Sequence, residues 1–78
     1  MRMKKSIEAV EISSLEVPGL GTVQVGLKVI HPVFGRGTVV AIFELSPLSK
    51  VRHVIGVHFE RVGYKPLLPE YAKLQSDT

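Results

Sequence analysis

Residues 51–60 read Val-Arg-His-Val-Ile-Gly-Val-His-Phe-Glu. Side chains of an extended chain alternate between two faces. Val51, His53, Ile55, Val57 and Phe59 therefore share one face, and Arg52, Val54, Gly56, His58 and Glu60 the other. Such alternation specifies an antiparallel strand with one apolar and one wet face. Gly56 in its middle predicts a bulge or a sharp bend, which small barrels use at their corners.

The segments around this strand follow the same logic. Residues 27–31 form a strand with Val29 and His31 on one face and Lys28 and Ile30 on the other. It ends at Pro32, which has no N–H to give a ladder. Phe34-Gly35-Arg36-Gly37 reads as a tight turn with left-handed backbone at both glycines, which places Arg36 at its tip. A nearly all-apolar strand covers residues 38–45, and Ser46-Pro47-Leu48-Ser49 turns the chain. Arg61-Val62-Gly63 leads into a further strand over 64–68, which Pro66 and Pro69 assign to a sheet edge. Residues 70–73 read as one helical turn, after which Leu74 closes the core.

The expected fold is all-β: a small SH3-like barrel of about five strands over residues 26–75. Residues 1–25 are an N-terminal extension. Residues 7–17 suit a short helix or a strand, Pro18-Gly19-Leu20-Gly21 is a breaker, and residues 22–25 suit an extra strand. This extension has apolar residues enough to pack on the barrel or on a partner subunit, which makes a homodimer one expectation.

Composition limits the function. The chain has 78 residues and no cysteine, so it is one domain with a marginal core and no disulfide or thiolate-held metal. No apolar run approaches the roughly 20 residues of a membrane span. The basic start, Met1-Arg2-Met3-Lys4-Lys5, is followed by Glu8 and Glu11 where a signal peptide would be apolar. A cytoplasmic protein with no membrane association is expected. The net charge is +3, and residues 27–65 carry six cations against two carboxylates, Glu44 and Glu60. A basic barrel favours nucleic acid or an acidic protein surface as partner, although a solvated basic surface accounts for the same charges.

Catalysis has little support. The serines have no His–acid arrangement suggested by spacing. No Gly-x-x-x-x-Gly-Lys-Ser/Thr loop occurs, which excludes that route to ATP chemistry. His53 and His58, five apart in a strand, point to opposite faces, and a metal site needs three or four convergent ligands. A cage for methylated lysine needs several exposed aromatics, against three Phe and two Tyr here. The expectation is a non-enzyme with no cofactor and no metal.

Several residues in order carry a resemblance. Gly26-x-x-Val29-x-His31-x-x-Phe34-Gly35-x-Gly37-x-Val39-Val40, then Val57-x-Phe59, then Lys65-x-Leu67-Leu68-x-x-Tyr71-Ala72-x-Leu74 together resemble the Tudor-like, SH3-like barrel at the C-terminus of UvrD/PcrA-type DNA helicases. The same barrel is similar in form to CarD-like RNA polymerase-binding domains and to a module of transcription-repair coupling factors. The resemblance covers about two-thirds of the chain. It implies a docking module, commonly for RNA polymerase, with His31 half-buried and bracing the hairpin. The helicase domains usually carry a polar or basic residue just before the hairpin aromatic, where this chain has Val33.

The leading expectation is therefore a protein-docking module for RNA polymerase or a repair factor. Val33, Phe34 and Arg36 form its contact tip, and Arg61 and Lys65 extend it. The first alternative is a weak, non-specific nucleic-acid-binding barrel that adds Lys28 and Arg52 as phosphate contacts. The second is a self-associating structural subunit.

Overall fold

A computed structural model describes residues 9–46, 50, 52–69 and 72–77. It is all-β, with eight strands and no helix among the described residues. The strands are β1 (Ala9–Ile12), β2 (Ser14–Val17), β3 (Gly21–Gln24), β4 (Lys28–His31), β5 (Gly35–Leu45), β6 (His53–Phe59), β7 (Gly63–Leu67) and β8 (Gln75–Ser76). Four of these, β4 to β7, correspond to the strands expected over 27–31, 38–45, 51–60 and 64–68, and β8 is an additional one.

One antiparallel sheet runs β7-β6-β5-β4-β8, and β1 pairs with β5 as well. The long β5 makes this possible. Its first part pairs with β4 (Lys28↔Thr38, His31↔Gly35) and its last part with β1 (Ala9↔Leu45, Ile12↔Ile42), while β6 runs along its other edge. Strands β2 and β3 form a separate hairpin. Val17 and Val23 of that hairpin join Val29, Val39, Ile42, Ile55, Val57 and Phe59 in one buried cluster. The sheet and the hairpin thus enclose a barrel-like core in which no polar or charged residue among those described is buried.

The β6 alternation holds at its C-terminal end, where Ile55, Val57 and Phe59 are fully buried and His58 is exposed; Gly56, on the expected wet face, is buried, and Val51 lies outside the described residues. The described part of the extension forms three strands, β1 to β3, with a turn at residues 18–20 where the breaker was expected, and Ile12 of β1 and Val17 of β2 pack on the chain's own core. Pro66 sits in β7, which is a sheet edge. Of the turn expected at Ser46-Pro47-Leu48-Ser49, residues 47–49 lie outside the described residues, but Leu45 N–H donates to the Arg52 carbonyl at 2.8 Å and closes that hairpin.

Three expectations need correction. The first hairpin turns at Pro32-Val33-Phe34, and β5 already begins at Gly35. Gly35 has a left-handed φ of 84° but Gly37 does not. Gly37 is needed for room, since a Cβ there would lie 2.7 Å from both Phe59 Cδ1 and Val57 Cγ1. Arg36 is consequently a strand residue opposite Ile30, not the tip. Second, the bulge falls on the strand facing Gly56. Val39 pairs with Val57 and Ala41 with Gly56, leaving Val40 as the extra residue. Third, of the helical turn expected at 70–73, Glu70 and Tyr71 lie outside the described residues. Ala72 and Lys73 are not helical, and Lys73 has a left-handed φ of 56°.

Candidate functional site

Two turns meet at one end of the barrel. The β4–β5 turn carries Val33 and Phe34, and the β6–β7 turn carries Arg61 and Val62. They are neighbours because Gly37 faces Phe59 and the Glu60 N–H donates to the Arg36 carbonyl at 3.0 Å. Both turns end in a glycine with left-handed backbone, Gly35 at 84° and Gly63 at 82°.

His31 organises the first turn. Its Nδ1 accepts the backbone N–H of Val33 at 3.0 Å and of Phe34 at 3.1 Å. One ring nitrogen thereby satisfies two donors that a three-residue turn leaves without ladder partners. The same ring stacks on Phe34 at 4.5 Å between centroids and meets Phe59 edge-on at 5.9 Å. Phe34 and Phe59 are 5.2 Å apart, so the three rings tie the turn to the core. This is the bracing role expected of His31.

Around this aromatic base lie two cations and two exposed valines. Lys65 Nζ sits 5.6 Å from the centre of the Phe34 ring, within cation–π range. The Arg61 side chain passes over Gly35, its Cδ 3.8 Å from where a Cβ would be. Val33 projects furthest, at 74% exposure, with Val62 at 47%. The structure therefore brings Val33, Phe34, Arg61 and Lys65 together. Phe34 is half-buried and serves as the base of the tip rather than its point. Val62 was not anticipated; its signal in the sequence is the Gly63 that follows it, matching Gly35 in the other turn.

The remaining cations lie elsewhere. Arg36 is at the same end but on the outer face of β5, with Nε 3.8 Å from an Asp77 carboxylate oxygen. Lys28 is also on that outer face, where its Nζ donates to Thr38 Oγ1 at 3.2 Å. Arg52 precedes β6 at the far end of the barrel. The seven residues of β6 separate it from the β6–β7 turn, about 23 Å at the rise of a strand.

No group of three or more metal-ligating side chains occurs among the described residues. His53 Nε2 lies 3.9 Å from a Glu44 carboxylate oxygen, and His58 is exposed on the opposite face. No helix among the described residues is long and apolar enough to cross a membrane. Comparison with known protein families, with characterised proteins and with solved structures gives no match.

Proposed function

We propose that the chain is a non-catalytic protein-docking module whose contact surface is the paired-turn end of the barrel. One observation carries the reading: Val33 stands almost free of the protein on a turn whose backbone is pinned by His31. An exposed apolar side chain on a flexible loop loses binding energy to ordering; on a fixed turn it does not. Arg61 and Lys65 beside it provide the charged rim around an apolar anchor that small interfaces use. The resemblance to the Tudor-like domain of UvrD/PcrA-type helicases supports RNA polymerase, or a repair or transcription factor, as the partner.

The alternative, a phosphate-tracking surface, is less well supported. Its cations divide between the two ends and the outer face, and Arg36 already has a carboxylate neighbour.

Binding of the full chain to purified bacterial RNA polymerase, measured by biolayer interferometry, tests the reading. Wild type is expected to bind, and Val33→Asp to lose binding while melting at the same temperature. No binding by wild type removes the polymerase as partner. Equal binding by a stable Val33→Asp chain removes the tip as the docking site.

A further inference from the structure

The two ends of the strand order β7-β6-β5-β4-β8 are guarded very differently. On β7, Pro66 removes one backbone donor, a device that blunts an edge against pairing. The described β4, Lys28–His31, has neither proline nor bulge. Its outer edge is covered only by β8, two exposed residues that make two register pairs, Val29↔Ser76 and Ile30↔Gln75. One further backbone bond, Asp77 N–H to the Lys28 carbonyl at 2.9 Å, and the exposed Arg36–Asp77 pair extend the contact.

The root of this strand is strained. Lys73 is the one non-glycine residue with a left-handed backbone among those described, a conformation in which an L side chain crowds its own carbonyl. Just before it, Ala72 is buried; just after it, Leu74 packs on the core. The turn at Lys73 is what folds residues 74–77 back onto the chain's own β4. A short strained hinge next to a two-residue strand invites exchange between copies, because an extended hinge delivers the same strand to a neighbour and releases the strain.

We propose that β4 is an interaction edge for a second copy of this chain, and that residues 74–77 exchange between the two with Lys73 as the hinge. The occupant follows from the pairing itself. The Ile30↔Gln75 register, the Asp77–Lys28 bond and the Arg36–Asp77 pair are all available between two chains as well as within one. The exchange is reciprocal and closes on two copies, each β4 receiving from its neighbour the pairing it has within one chain. This inference is independent of the docking function proposed above.

Engineered cysteines test it cleanly, since the chain has none of its own. Ile30 and Gln75 are direct register partners, with Cα atoms about 5 Å apart in such a pair, inside the range a disulfide bridges. Full-length Ile30→Cys and Gln75→Cys chains are mixed, concentrated, oxidised and run without reductant. The expected result is a disulfide-linked heterodimer several-fold above the dimer that either variant forms alone. A chain carrying both substitutions links within itself when dilute. No excess of heterodimer in the mixture, with that internal link present, overturns the exchange. Absence of the internal link overturns the β4–β8 pairing on which it rests. Lys73→Gly, which relaxes the hinge, is expected to reduce the heterodimer several-fold; an undiminished yield overturns Lys73 as the hinge.

Discussion

The ring of Tyr64 occupies the space that a side chain at Gly56 would take: a Cβ there would lie 2.5 Å from its Oη and 2.7 Å from its Cε1. Tyr64 pairs directly with His58, so it reaches Gly56 along the diagonal between β6 and β7. The glycine is fully covered on a face that is otherwise wet, while the tyrosine stays 50% exposed. Gly56→Ala should therefore displace the ring rather than break the strand, at about 1–2 kcal/mol. Combining it with Tyr64→Ala should recover most of that loss. Urea unfolding of both single variants and the double variant measures the coupling, and strictly additive effects would dissociate the pair.

Gly37 and Gly35 should rank opposite to their backbone angles. Gly35 is left-handed, but a Cβ on it would meet only Arg61 Cδ at 3.8 Å. Gly35→Ala should cost about 1–2 kcal/mol in backbone crowding. Gly37 has ordinary angles, but a Cβ there would collide with buried Phe59 and Val57 and approach the His58 carbonyl to 3.1 Å. Neither core nor backbone can retreat, so Gly37→Ala should cost about 3 kcal/mol, at the upper end of overpacking effects. Thermal melts of the two variants decide the order.

That ranking marks where the sequence stops being informative. In Phe34-Gly35-Arg36-Gly37 the two glycines look equivalent. What separates them is the strand over residues 53–59, some twenty positions away, whose inward face leaves no space over Gly37. The alternation of β6 was legible because it is a local pattern and its apolar side became the core. The bulge was not, because Val40 is one more apolar residue in an apolar run and only its pairing against β6 makes it supernumerary. Residues 9–17 stayed ambiguous because two four-residue strands are too short for a period of two to differ from a helical one. Arg36 was misplaced along with its glycine, because the turn lies earlier, at Pro32-Val33-Phe34, and β5 has already begun at Gly35.

His31 should matter through its Nδ1 as well as its ring. His31→Phe keeps a ring to stack against Phe34 and Phe59 but leaves the Val33 and Phe34 N–H groups without their acceptor. The turn is partly open to water, so the loss should be about 1–2 kcal/mol, near the net worth of two hydrogen bonds. Amide hydrogen exchange at Val33 and Phe34 should accelerate more than at buried Val57. Equal acceleration at all three would mean global destabilisation and would deny His31 its local role.

The paired-turn end and the scattered cations make different demands on one set of variants. Val33→Asp, Arg61→Ala, Arg36→Ala and Arg52→Ala all alter exposed side chains, and each should change stability by no more than about 0.5 kcal/mol. A protein partner seated on the two turns should lose about tenfold or more in affinity with Val33→Asp and with Arg61→Ala, since a central apolar anchor and its adjacent arginine dominate small interfaces. Arg36→Ala should do less, its guanidinium lying on the β5 face toward Asp77. Arg52→Ala should do nothing, from the far end of β6, about 23 Å away along the strand. A nucleic acid would respond otherwise. Each arginine would count alike, and each removal would lower the salt dependence of binding by about one unit of slope. Titrations of the four variants at two salt concentrations separate the cases. An Arg52→Ala chain that binds as weakly as Arg61→Ala would shift the function from the two turns to the charge of the whole barrel.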